Sequence, residues 1–144
     1  MAVIVLRHEF EGDDNFNNLS LWIIPVTLIN HQKRFNCNFL LDTGAQRTLI
    51  IPYVQEVLNI SETNQFQRGI GVSGTSNYKI GEIDNLEIGS ITLGSLQILI
   101  GELPQFFSKY KILGLLGADI LKTLYITLDY PRQLLVIEKT IVLP

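Results

Sequence analysis

The sequence predicts an all-β fold. Apolar residues alternate with period two over much of the chain, and short β-branched segments are separated by turns rich in Gly, Asn and Asp. Only two stretches carry helical spacing. Many short strands with one or two short helices point to a closed or sandwich-like β architecture.

Taken in order, "AVIVLRHEFE" reads as a strand and "GDDNFNN" as a polar turn. "LWIIPVTLIN", the break "HQKR" and "FNCNFLLD" read as a hairpin. In its second arm Phe35, Cys37, Phe39 and Leu41 share one face, and Asn36, Asn38 and Leu40 the other. Cys37 thus falls on the apolar face, where a buried structural thiol is expected and a reactive one is not. "IPYVQEVLNI" can form a short helix with Pro52 in its first turn. "QFQRGIGVSGTSNYKIG" is strand-like around a glycine-rich tip, and "IDNLEIGSITLGSLQILIGELP" continues as strands between glycine turns. In "KILGLLGADILKTL", Ile120, Leu121 and Leu124 stand at helical spacing. "YITLDYPRQLLVIEKTIVLP" reads as two strands about an Asp-Tyr-Pro turn.

Bulk properties narrow the classes. A length of 144 residues suits one domain, since typical domains run to roughly 100–150 residues. One domain over residues 1–144 is therefore expected. Eleven Lys and Arg against fourteen Asp and Glu give a net charge of −3 with the basic residues scattered, which excludes a nucleic-acid footprint. One cysteine excludes an internal disulfide framework. The N-terminal "MAVIVLRHEF" has no basic leader and only a short apolar run, and no stretch reaches the roughly 18 apolar residues of a membrane span. A soluble, cytoplasmic protein without membrane contact is the expectation. His8 and His31 lack metal-ligand company, and Trp22 and the Phe residues read as core packing. No metal and no cofactor is expected.

The chemistry centres on "FLLDTGAQRTLI", where an apolar strand ends in a carboxylate. An aspartate there is costly unless its charge is hydrogen-bonded, shared or used. The plain alternative is a turn carboxylate capping nearby amides, because Asp, Thr and Gly all suit turns. Gly44 would permit a sharp reversal of the backbone. Further on, Leu115-Leu116-Gly117 reads as a buried strand ending in glycine, followed by helix-like "ADILKTL".

In this order and spacing the residues resemble the retroviral-type (retropepsin-like) aspartic proteases, in particular the small bacterial members. The resemblance covers roughly Trp22 to Glu138. Its specific parts are Asp-Thr-Gly-Ala and Leu-Leu-Gly-Ala-Asp. It implies a homodimeric closed β-barrel with one short C-terminal helix and room for a second. It implies Asp42 as the catalytic residue on an active-site loop with Thr43, Gly44 and Ala45. Leu115, Leu116 and Gly117 would back that loop, although Ile112-Leu113-Gly114 fits the same pattern one step earlier. Gly71, Val72, Ser73, Gly74 and Thr75 would form a flap over a bound peptide. The glycines also loosely suggest a phosphate loop, but no Lys follows them. A plain surface hairpin is the other reading of that stretch.

Such enzymes hold two aspartates on one water, one acting as base and the other as acid. Of Asp13, Asp14, Asp42, Asp84, Asp119 and Asp129, only Asp42 precedes Thr-Gly. One chain therefore carries half a site, and the resemblance implies a second copy across a twofold axis. It further implies that Thr43 bonds across that axis, against the alternative of a hydroxyl satisfied in its own loop. "VIVL" and "TIVLP" at the termini are interface candidates, or else edge strands of a monomer. Asp119 reads as a capping or helix-anchoring carboxylate. Gln46 and Ala118 replace an acid and an arginine common in retroviral relatives, so the salt bridge between them is lost. The expected function is aspartic endopeptidase acting on peptides or proteins. The alternative is a non-catalytic dimeric peptide-binding or scaffolding module of the same fold, and a third reading is a monomeric β-domain.

Overall fold

Among residues 2–71 and 74–144, which the structure (a computed structural model) describes, the chain forms twelve strands in two sheets. The smaller sheet joins the chain ends. Strand β1 (Ala2–Glu11) runs antiparallel to β12 (Leu134–Leu143) along its whole length, from Ala2 opposite Leu143 to Glu11 opposite Leu134. The third strand, β11 (Tyr125–Asp129), takes the other edge of β12. β11 flanks β12 only over Leu134–Glu138, so "TIVL" pairs with "VIVL" on one side alone, and "VIVL" lies on the edge strand.

The larger sheet contains β2 (Ile23–Asn30), β3 (Lys33–Leu41), β4 (Leu49–Ile50), β5 (Glu62–Gly71), β6 (Gly74–Ile83), β7 (Asn85–Ile88), β8 (Ile91–Thr92), β9 (Leu96–Ile100) and β10 (Ile112–Leu116). Its order is β5-β6-β9-β4-β10-β3-β2-β7-β8. The expected closed barrel is therefore corrected: the two sheets stay open, and β5 and β8 end the larger one. Closure needs the first and last strands to pair at a fixed stagger. Here β8 is two residues long and pairs only with β7. Side chains bridge the sheets instead. The His8 ring packs over Gly89, where an added Cβ would lie 2.5 Å from His8 Cγ, and Lys139 Nζ donates to Thr92 O at 3.0 Å.

Local rules explain the main hairpin. Along β2, Ile24, Val26, Leu28 and Asn30 are buried while their neighbours are less so, as period two requires. The turn to β3 is only His31–Gln32, both at positive φ (50° and 65°), a primed turn that suits the twist of a two-residue hairpin. Asp84 Oδ2 accepts the His31 amide at 2.8 Å and steadies that turn. Alternation breaks down at the end of β3. Phe39, Leu40 and Leu41 are all buried, because β10 lies parallel alongside and a second apolar cluster with Phe107 and Ile112 covers Leu40.

Helix content exceeds the expectation. Helix α1 (Asp14–Leu19) stands where a turn was expected. Asp13 caps it by accepting the Phe16 amide at 3.1 Å, which places Phe16 4.4 Å from the Trp22 ring. Helix α2 (Pro52–Leu58) has its proline in the first turn and buries Val54 and Leu58. A 3₁₀ helix, Gln105–Tyr110, buries Phe107. Helix α3 (Ala118–Leu121) is a single turn, shorter than "ADILKTL" suggests.

The main core draws on both sheets, joining Ile24, Leu28 and Phe39 to Leu135 and Ile137. Cys37 is half-buried at its margin, and desolvation pushes its thiol up to about 12. Among the described residues no helix is long and apolar enough to cross a membrane.

Candidate active site

Asp42 stands where β3 leaves the sheet. Its amide donates to Leu116 O at 3.0 Å, extending the parallel pairing of Leu40 with Leu115 and Leu41 with Leu116. The chain then turns, with the Ala45 amide on Asp42 O at 3.2 Å. The Gly44 amide reaches back to Asp42 Oδ1 at 2.9 Å. Asp42 and Ala45 are half-buried, and Thr43 and Gly44 are exposed. Gly44 is not among the residues with positive φ, so the expected backbone reversal is not why glycine stands there. Nor does space demand it: an added Cβ would meet only Asp42 Oδ1, at an ordinary 3.4 Å.

Gly117 lies directly behind the loop. A Cβ on it would sit 2.4 Å from the carbonyl carbon of Arg47, and backbone cannot yield as a side-chain tip can. The Ala118 and Asp119 amides donate to Ala45 O (2.8 Å) and Gln46 O (3.1 Å), so the first turn of α3 holds the loop by its carbonyls. The alternative triplet Ile112-Leu113-Gly114 lies earlier on the same strand, with Gly114 against the Phe39 ring.

A polar network ties these pieces together. Thr48, fully buried, donates its hydroxyl and its amide to Asp119 Oδ1 at 2.8 and 2.9 Å. The same hydroxyl accepts the Gly117 amide at 3.1 Å. Asp119 Oδ2 lies 3.6 Å from Arg47 Nε. Gln46 and Ala118 are uncharged, yet one residue further along each segment an ion pair with exchanged signs joins loop to helix. Loss of the first pair therefore leaves the loop tethered.

The remaining aspartates have other work. Asp13 caps α1, Asp84 holds the β2–β3 turn, Asp119 anchors α3, and Asp129 accepts the Arg132 amide at 3.0 Å. Asp14 lies in the first turn of α1. Among the described residues no group of His, Cys, Asp and Glu could hold a metal ion.

The glycine-rich stretch is a hairpin, with Ile70 opposite Thr75 and Gly71 opposite Gly74 at the ends of β5 and β6. Val72 and Ser73 of the expected flap lie outside the described residues. Lower down, this hairpin faces the loop across a cleft of about 430 Å³. Gly44, Ala45 and Arg47 line one side, and Gln67, Gly69 and Tyr78 the other. The sequence reading did not single out Arg47, Thr48, Gln67 or Tyr78. Only Thr48 had a usable signal, as a hydroxyl entering an apolar run.

Comparison with known proteins follows the same residues. A sequence profile described as "Aspartyl protease" matches residues 18–120. The fold is similar to a retropepsin-like aspartic protease from Rickettsia conorii, with a TM-score of 0.66 at 13% identity over 99% of this chain and 98% of that one. It is also similar to the retroviral protease-like domain of Ddi1 from Leishmania major, with a TM-score of 0.52 at 16% identity over 85% of this chain and 94% of that one. No curated protein matches the chain in sequence. The fold is thus retropepsin-like, and because the profile covers well over half of the sequence, from before β2 into α3, the chain belongs to the aspartyl protease family.

Proposed function

We propose that this chain is an aspartic endopeptidase whose complete site forms when two copies bring their Asp42 loops together. The observation that carries this reading is the setting of Asp42. It is a half-buried carboxylate on the loop at the mouth of a cleft, bonded only to the amide of its own loop among the described residues, whereas Asp84 and Asp119 are tied to distant segments and Asp13 caps a helix. A single such carboxylate cannot act as both base and acid on one water.

In the dimer, one Asp42 draws a proton from a water as that water attacks the peptide carbonyl. The other, protonated, donates to the carbonyl oxygen and stabilises the developing oxyanion. The two share one proton because like charges so close cannot both ionise freely. Thr43, Gly44 and Ala45 hold the carboxylate in place, and Leu115, Leu116 and Gly117 back them. The β5–β6 hairpin closes over the peptide and excludes water.

Two further features support assembly. The exposed Thr43 hydroxyl has no partner in its own chain among the described residues, as a bond across a twofold axis requires. Val3, Val5 and Val142 share an exposed apolar face of the small sheet, and β1 presents an open edge.

The test is cleavage of a diverse peptide library by wild type and Asp42→Asn. Loss of cleavage in Asp42→Asn, specific activity that falls on dilution, and poisoning of wild type by excess Asp42→Asn are expected. Peptide binding without turnover in the wild type would favour a scaffolding module instead.

A further inference from the structure

The cleft beside the Asp42 loop has a one-sided charge. Leu49, Leu99 and Leu115 give it an apolar lining, and Tyr78 packs over Gly69 and Gly101, where added Cβ atoms would lie 2.5 and 2.6 Å from its ring. Its charged lining residues are Arg47 and Arg68, with no Asp or Glu among them, in a chain whose net charge is −3.

Arg47 is held in place. Its Nε lies 3.6 Å from Asp119 Oδ2, and its Nη1 donates to Gln67 Oε1 at 3.4 Å. Those contacts leave Nη2 without a partner among the described residues. The Arg47 side chain is only 26% exposed, so an incoming charge meets a guanidinium partly shielded from water. Asp119 offsets part of that charge. Arg68 borders the cleft from β5, but alternation along the strand turns its side chain away from the face that Gln67, Gly69 and Tyr78 present, so Arg47 supplies the charge.

A fixed guanidinium with spare donors beside an apolar lining suits a carboxylate on a short aliphatic stem. We infer that this cleft is a specificity subsite that takes an acidic side chain of the peptide substrate, an inference that rests on the endopeptidase reading. Glutamate fits best, because its two methylenes can lie on the leucines while its carboxylate meets Arg47. Gln67, which contacts Arg47 across the cleft, is then a specificity determinant.

The experiment uses peptides that differ only by Glu, Gln or Lys at one position at a time. At one position, wild type is expected to show kcat/KM for Glu about tenfold above Gln, a margin of roughly 1.4 kcal/mol, with Lys lowest. The ratio falls as salt is raised. Gln67→Glu sets a carboxylate of the protein against Arg47 and should bring the Glu-to-Gln ratio near one. Gln67→Ala removes a contact that fixes Arg47 and should lower the same ratio, and it serves if Gln67→Glu fails to fold. Binding of the same peptides to Asp42→Asn, read by fluorescence anisotropy, separates the two readings. Glu-selective binding with no cleavage by wild type would remove the endopeptidase and keep the subsite. Cleavage without Glu preference at any position would overturn the subsite and keep the endopeptidase. Neither cleavage nor selective binding would overturn both.

Discussion

The buried hydroxyl of Thr48 lies 2.8 Å from Asp119 Oδ1 and at the same time accepts the Gly117 amide at 3.1 Å. One side chain thus joins the Asp42 loop, the glycine turn behind it and the first turn of α3. Thr48→Val keeps the shape and removes both bonds. It leaves a buried amide unpaired and a carboxylate short of a donor, so a loss of about 1–3 kcal/mol is expected in urea denaturation. Thr48→Ser keeps the hydroxyl and should recover most of it. Equal stabilities for Val and wild type would show that water replaces the network.

Gly117 and Gly44 make a contrasting pair. Gly117→Ala drives a Cβ into the Arg47 backbone at 2.4 Å, so both stability and activity should fall, with stability lower by about 1–3 kcal/mol. Gly44→Ala meets only Asp42 Oδ1 at an ordinary 3.4 Å. It should fold with nearly wild-type stability and lose activity through its contact with the carboxylate. Thermal unfolding alongside peptide turnover separates the two.

The open edge of β1 predicts an assembly mutant. Val3 and Val5 are 57% and 56% exposed. A lysine on an exposed edge opposes strand addition. Val5→Lys should weaken the proposed dimer in sedimentation velocity and cut activity at low concentration, with activity returning at high concentration. Monomer stability should stay within about 0.5 kcal/mol, as for other surface changes. Undiminished association would place the interface elsewhere.

Cys37 predicts a pH effect of known sign. Burial raises its thiol from 9.0 to about 12, so folding favours the neutral form. Its contribution to stability is full below the unfolded value and fades as pH rises from about 9 toward 12. Cys37→Ala should flatten the loss of stability in this range relative to wild type. A thiol reagent at pH 8 should label the native protein far more slowly than the urea-unfolded chain. Equal labelling rates would contradict the burial.

Much of the strand order was legible from local pattern alone. Period-two alternation marks β1, β2, β11 and β12, Pro52 marks the start of α2, and the glycines bound the β5–β6 hairpin. These signals are local because side-chain direction follows backbone geometry within a few residues. Helix α1 was hidden because its run of Asn and Asp residues suits a turn as well as a capped helix, and only the docking of Phe16 on Trp22 favours the helix.

The sequence by itself determined the family and the residues of the Asp-Thr-Gly loop, since covalent order holds Asp42, Thr43 and Gly44 together whatever the rest of the chain does. Tertiary structure alone decided what surrounds them. Whether the sheets close depends on pairing between strands far apart in the chain, and alternation says nothing about which edges meet. The Thr48–Asp119 bond and the Arg47–Gln67 contact span 71 and 20 residues. They exist because β10 inserts between β3 and β4 and brings α3 behind the loop, a placement driven by burial of both faces of these strands. The same placement turned Arg47, an unremarked residue in the sequence, into the positive wall of the cleft.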